Sequence, residues 1–338
     1  MSDTVSLQEL TDRFHGDVAP LLAVADRYPF RLTRYYASLI ESPGDPIWRQ
    51  AVPAPDELND LLQVEDPLDE GRLSPVPGLI HRYPDRVVML VTNACAMYCR
   101  FCMRKRMVGT SSAPTCSFDE ALAYIRHTKT IKDVLLSGGD PLLLPEDVLG
   151  GLLSKLRAIP HVDIIRIGTR LPVTDPDRVS QAYCRMLAKH RPLYINTHFN
   201  HPRELTSNAE GACSRLQEAG LLLGNQTVLL RGVNDNPEIL MSLNRGLLKM
   251  GVKPYYLHQM DLVKGTRHFR TPLQTGLSLI HHLRGRLSGL GVPHFMVDLP
   301  GGKGKLALLE GVGRREGNDW LFENWEGEEV RYPDLPEA

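Results

Sequence analysis

Cysteine is scarce in this chain of 338 residues, and six thiols are too few for a disulfide scaffold. Long apolar runs are missing as well: stretches such as VVMLV from Val87 fall far short of the ~18 residues that a membrane-spanning helix needs. The amino terminus lacks a secretory pattern, because its apolar patch, Ala19 to Ala25, is preceded by Asp17 and followed by Asp26. A cytoplasmic protein is expected. Neither sign of charge prevails: 39 Lys and Arg face 40 Asp and Glu, a formal net charge of -1, so nothing in the whole-chain charge calls for nucleic acid or an anionic membrane as partner. No fixed-period repeat or low-complexity tract is found, which excludes solenoids and propellers. What remains is an ordinary globular composition, 42% apolar and 23% charged, long enough to bury a large core around a small-molecule or protein substrate.

From Arg86 onward, short aliphatic or β-branched runs alternate with segments of helical spacing. The runs are RVVMLVTN at Arg86, DVLLSGGD at Asp133, IIRIGTR at Ile164, LYINTHFN at Leu193, LLLGNQTVLL at Leu221 and PYYLHQMD at Pro254. Six strand-then-helix units imply a parallel α/β sheet with right-handed crossovers, closed or partly closed into a barrel of TIM type. Reacting groups then sit after the carboxyl ends of the strands, where this chain carries its polar clusters. Ser117 followed by Glu120 predicts a capping box at the start of one helix. Three regions are expected: a helical appendage over 1–80, the barrel over 81–300, and a glycine-rich loop with a short tail over 301–338. In that tail, Trp320, Phe322 and Trp325 are expected to pack back onto the body.

Three of the six cysteines crowd into eight positions directly after the first barrel strand: Cys95, Cys99 and Cys102, in CAMYCRFC. Three thiolates on one tight loop can hold three irons of a cubane cluster and leave the fourth iron open to an external ligand. A structural zinc would want a fourth protein ligand, and none stands at short spacing; the next thiol, Cys116, follows a Ser/Pro-rich loop. The glycine pair in LSGGDPL, Gly138 and Gly139, lets a backbone come close to something, although a strand-end turn alone can explain it. His198 and His201 find no third metal ligand of matching spacing and are read as hydrogen-bonding or core residues; Cys184 and Cys213 are read as small buried apolar groups.

The CxxxCxxC motif with Tyr98 before its second cysteine resembles the radical S-adenosylmethionine superfamily, and the Gly138-Gly139 loop resembles that superfamily's contact to the methionyl amine. Longer strings, VPGLIHRYPDRVVMLVTNACAMYCRFCMRKRMVG, LLSGGDPLLL, NTHFNHPRE, GNQTVLLRGVND, PYYLHQMDLVKGTRHFRTPL and VPHFMVDLPGGKGK among them, resemble the lysine 2,3-aminomutase family. The resemblance implies a partial (β/α)6 barrel and three cofactors: a 4Fe-4S cluster, S-adenosylmethionine and pyridoxal 5'-phosphate. It implies cluster ligation by Cys95, Cys99 and Cys102, and pyridoxal phosphate on Lys305 rather than on the nearby Lys303. It further implies a substrate-carboxylate contact by Arg104, and a grip on a distal ammonium by Asp261 and Asp298. Contacts to the organic cofactors would come from Ser137, Gly138, Gly139, Asp140, Arg82, Tyr83, Arg86, Arg170 and Gln226. Taken as a bare charge run, MRKRM around Arg104 would more often be a solvated face.

The implied activity is the conversion of L-lysine to β-lysine through substrate radicals, with a reductant protein such as flavodoxin or ferredoxin, in a homo-oligomer. Three alternatives stand beside it: an aminomutase for glutamate or another free amino acid, an enzyme acting on a lysine of elongation factor P, and an iron-sulfur electron carrier without catalysis.

Overall fold

The computed structural model describes residues 3–60, 63–110, 117–309, 313–317, 319–323 and 327–333. Cys116 and Trp325, with the side chain of Phe322, lie outside the described residues.

The chain opens with four short helices, α1 (Leu7–Arg13), α2 (Ala19–Ala25), α3 (Arg34–Ser38) and α4 (Pro46–Ala51). Polar cap residues fix the starts of α1, α3 and α4. Ser6 and Glu9 form a reciprocal capping box on α1, and the Asp45 carboxylate accepts from the Ile47 and Trp48 N–H groups ahead of α4.

The body is a nine-stranded sheet in sequential order. Strand β1 (Leu79–Tyr83) pairs antiparallel with β2 (Arg86–Thr92). Then follow α5 (Phe118–His127), β3 (Asp133–Gly138), α6 (Glu146–Arg157), β4 (Ile164–Gly168), α7 (Leu171–Thr174), α8 (Gln181–Ala188), β5 (Leu193–Thr197), α9 (Ser207–Glu218), β6 (Leu222–Leu229), α10 (Pro237–Lys249), β7 (Lys253–Gln259), α11 (Leu273–Leu283) and β8 (His294–Asp298). Strands β2 to β8 are parallel. Strand β9 (Lys305–Ala307) returns antiparallel along β8. The six expected units are present, and a seventh parallel strand, β8, completes them. The expected boundary near residue 80 falls inside β1, so the end of the appendage is part of the sheet. The carboxyl-terminal segment forms its own antiparallel sheet from β10 (Arg314–Glu316), β11 (Asp319–Glu323) and β12 (Glu329–Pro333). Ser117 does stand at the amino-terminal cap of α5, but its side chain makes no capping hydrogen bond, so the predicted capping box is absent.

Strand alternation decides what each face does. Val134, Leu136, Ile165, Ile167 and Ile195 are fully buried in the main core; each such side chain contributes about 1.5–3 kcal/mol by leaving water. The alternate residues, among them Ser137, Arg166, Asn196, Gln226, Tyr256 and His258, are only half-buried and face the inner side of the curl. A lumen lined this way is open to ligands rather than filled by its own side chains. The two sheet edges meet as the sheet curls: Arg82 of β1 reaches Asp298 of β8 (Nη1 to Oδ1, 3.2 Å), and the Lys305 N–H of β9 donates to the Tyr83 hydroxyl (2.7 Å).

Candidate active site

The thiol loop leaves β2 at Thr92, beside an irregularity in the β2/β3 register between Leu90 and Thr92. Two backbone bonds lock it to the loop after β3: Gly139 N–H to Thr92 O (2.6 Å) and Asp140 N–H to Ala94 O (2.8 Å). A Cβ on Gly139 would lie 2.1 Å from the Ala94 oxygen, and one on Gly138, whose φ is +117°, 2.3 Å from the Thr92 oxygen. Both positions require glycine because backbone meets backbone there. Asp140 is buried and accepts from the Thr169 hydroxyl (2.7 Å) and from the N–H groups of Arg170 (2.7 Å) and Leu142 (3.1 Å). It braces the loop; its carboxylate is fully engaged by the protein.

The appendage clamps the thiol loop from the other side. Tyr98 N–H donates to Arg31 O (3.0 Å), and Arg100 N–H to Gln50 O (2.9 Å). Glu57, fully buried, pairs with both Arg100 and Lys105 at 2.6 Å. Burial and then Arg100 lower the Lys105 pKa to about 8. Arg170 sits behind the loop, donating to the Cys99 sulfur (2.8 Å), the Gln50 amide oxygen (2.6 Å) and the buried Glu204 carboxylate (2.8 Å). The structure thus directs Arg170, expected at an organic cofactor, onto a thiol.

Burial, followed by Asp140 and the neighbouring thiols, raises the Cys95 thiol well above its ordinary range; burial and then Cys99 push Cys102 up to about 11. Such thiols become thiolates only when a cation arrives. Among the described residues, no three His, Cys, Asp or Glu side chains converge as one metal ion would require. A cubane, whose ligand sulfurs sit on separate irons, fits this donor set better than zinc.

A second group of charges belongs to the same site. Arg104 is buried and held by Glu70 through Nε (3.1 Å) and Nη2 (2.8 Å), with its Nη1 donating to the Ser137 hydroxyl (3.2 Å). Burial would raise the Glu70 pKa, but Arg104 and Arg106 together hold it below its ordinary value. Asp298 is a hub: Arg82 approaches one oxygen, while the Lys305 ammonium and His258 Nδ1 (3.8 Å) approach the other. Burial, then the nearby Asp298, raises Asp261 to about 7, with Lys305 opposing. Asp261, Asp298 and Lys305 are therefore brought together; Lys303 and Lys305 are both exposed residues, and of the two it is Lys305 whose ammonium pairs with Asp298. Gly301, Gly302 and Gly304, at φ of +69°, +71° and +96°, turn the loop that returns Lys305 to Asp298. Arg86, at the strand end remote from the thiols, stacks its guanidinium 4.1 Å from the Tyr83 ring centre and is half exposed. Gln226 faces the lumen in mid-strand. The Nε of Arg82, Nδ2 of Asn196 and Nε2 of His198 are buried without a partner, which suits a lumen that receives a polar ligand.

Sequence reasoning missed Glu70, Glu57, Gln50 and His258. Only His258 had a usable signal, its shared strand parity with Tyr256; the others lie in the appendage, where no periodicity points at the barrel. His201 accepts from the Arg203 N–H through Nδ1 (3.2 Å), in line with the hydrogen-bonding role expected of it, and Cys184 and Cys213 are buried in α8 and α9.

A family model for the radical SAM superfamily matches residues 89–243. Among solved structures, the chain is similar to a radical SAM methyltransferase from Sphaerobacter thermophilus (TM-score 0.45, 16% identity, covering 65% of this chain and 67% of that one). The fold and thiol loop are those of a radical S-adenosylmethionine enzyme, built on a partial TIM barrel. Closer relatives narrow the class. The chain is 49% identical over 302 residues to the L-lysine 2,3-aminomutase of Clostridium subterminale, covering 88% of this chain and 73% of the relative. It is 47% identical over 311 residues to that of Fusobacterium nucleatum, covering 90% and 72%. It is also 43% identical over 318 residues to the glutamate 2,3-aminomutase of Clostridioides difficile, covering 93% and 75%. The chain belongs to the lysine 2,3-aminomutase family. It is an isomerase whose cofactors are a 4Fe-4S cluster, S-adenosylmethionine and pyridoxal phosphate. No helix among the described residues is long and apolar enough to cross a membrane.

Proposed function

We propose that the substrate of this aminomutase is free L-lysine and the product β-lysine. The observation that carries the reading is the pairing of Asp261 with Asp298, two buried carboxylates of which one already holds an ammonium, that of Lys305. The ion pairs of Lys305 and Arg82 both fall on Asp298, so a lysine side chain brings a cation for Asp261, whereas a glutamate side chain would add a third negative charge beside the two carboxylates.

In this reading Cys95, Cys99 and Cys102 would ligate the cluster, and the Ser137–Gly138–Gly139 turn would contact the S-adenosylmethionine bound with it. Lys305 would bind the pyridoxal phosphate, with Arg82, Tyr83 and Gln226 near it and Arg86 stacked on Tyr83. When bound, the cluster with S-adenosylmethionine would supply a hydrogen-abstracting carbon radical, and pyridoxal phosphate would supply a conjugated π system over which the unpaired electron spreads while the amino group migrates. Once Lys305 engages its cofactor, Asp298 keeps Arg82 on one oxygen and offers the other to the substrate ammonium. Arg104, oriented by Glu70, takes the substrate carboxylate through two parallel hydrogen bonds. Anchoring both ends of the substrate fixes its β-carbon and keeps the radical from the protein. The initiating electron comes from a flavodoxin or ferredoxin.

The test is an amino-acid panel assayed anaerobically with S-adenosylmethionine, pyridoxal phosphate and dithionite. The expected result is β-lysine from lysine and no turnover of glutamate; turnover of glutamate but not lysine overturns the role given to Asp261 and Asp298.

A further inference from the structure

The loops after β6 and β7 enclose a recess of about 580 Å³ outside the lumen. Arg231, Arg267, His268 and Arg270 supply one side of it, and Asp56, Asn59 and Asp60 of the appendage the other. The balance of charge is positive. Among the described residues no ion pair neutralises the three guanidiniums, and Arg231 and Arg267 are exposed. Asp60 lines the recess but is already engaged, accepting from the N–H groups of Gly265 (3.0 Å) and Arg267 (3.3 Å). The Arg270 Nε, both His268 ring nitrogens and the hydroxyl of Thr271, a residue 94% buried, have no partner. A cationic recess with this many unsatisfied polar groups is arranged for an anionic visitor.

What lies beneath selects the visitor. Arg231 N–H donates to Phe269 O (2.8 Å), tying the two loops together, and Phe269 stands in sequence between His268 and Arg270. Its ring meets that of Phe101 edge-on, with centroids 6.1 Å apart. Phe101 lies between Cys99 and Cys102, and Cys99 packs against the small apolar cluster that Phe101 and Phe269 form with Leu230, Val233 and Met260. The packed pair of rings therefore links the basic recess to the thiol loop.

We propose that this recess is the docking site of an acidic one-electron carrier protein, with Phe269 and Phe101 bridging it to the cluster. The carrier loses one electron and the oxidised cluster gains it; no proton or group moves. The proposal rests on the radical class of the enzyme and is independent of which amino acid it rearranges. Small electron-transfer interfaces rely on complementary charge for rate and register, which a basic rim on a chain of near-zero net charge provides.

The test uses the cluster-loaded enzyme and flavodoxin hydroquinone, following the reduced cluster by electron paramagnetic resonance after rapid freezing. The variant R231E/R267E changes two exposed side chains and leaves the core intact. Expected is reduction by flavodoxin slowed about tenfold or more at low salt, a difference that fades at high salt, with iron content and reduction by dithionite unchanged. R231K/R267K should reduce as fast as the unaltered enzyme. Equal flavodoxin rates for R231E/R267E and the unaltered enzyme would overturn the proposal. So would equal slowing with dithionite, or calorimetric binding of inorganic phosphate abolished by R231E/R267E while flavodoxin reduction is untouched.

Discussion

At the scale of single residues, the most informative group is Asp261. Its carboxyl is raised from an ordinary 3.8 to about 7, first by burial and then by Asp298. The folded, cofactor-free protein therefore holds this proton through a range where the unfolded chain has released it. The group adds stability as pH falls from about 7 toward 4, and that contribution is lost as pH rises through the same window. Lysine binding runs the other way, because its ammonium needs an ionised partner: affinity should rise with pH up to about 7 in the loaded enzyme. Asp261→Asn should flatten both gradients and weaken lysine binding, as read by urea unfolding and by calorimetric titration across pH 5–8. Unchanged gradients in Asp261→Asn would assign them to another group. Asp261, Asp298 and Lys305 were legible in the sequence through their family strings, as were the three thiols. Glu70 and Glu57 were not, because a carboxylate in a Pro- and Asp-rich stretch looks solvated until the fold lays that stretch over Arg104 and Arg100.

At the scale of elements, the sequence showed the alternation of strands and helices and missed what closes it. Strand β8 was unread because its run, HFMVD, is short and ends in the loop whose glycines drew attention. Strand β1 was cut by the expected boundary at residue 80 because LIHRY carries a half-polar pattern that suits an edge strand. The capping box at Ser117 failed although the helix begins where the pattern says, since a cap position does not guarantee a cap bond. Gly138 and Gly139 were read as room for a ligand, yet the nearest atoms are those of the thiol loop itself. Gly139→Ala should therefore damage cluster assembly: iron retained after anaerobic reconstitution should fall well below that of the unaltered protein, with loss of about 1–3 kcal/mol of stability from overpacking. Gly151→Ala, where α6 has open space around the glycine, should retain iron fully and gain roughly 0.5–1 kcal/mol. Normal iron content in Gly139→Ala would contradict the backbone lock.

At the scale of the whole molecule, a sheet whose strands are paired in sequence order curls until its two edges share Asp298, Arg82, Tyr83 and Lys305, while its outer face packs under helices. The lumen is left polar and half-open, and the appendage supplies the carboxylates that pin the basic residues beside the thiols. A radical enzyme needs this division: a rigid shell, and an interior that can hold a reactive substrate in place. The account as a whole depends on three thiols holding iron with one site open. Electron paramagnetic resonance of the anaerobically reduced protein, recorded with S-adenosylmethionine isotope-labelled at its methionyl amine, tests this directly. The account predicts a reduced-cluster signal that shifts on addition of the sulfonium and shows hyperfine coupling to the label. Bound zinc in place of iron, or a cluster signal indifferent to S-adenosylmethionine, would contradict it.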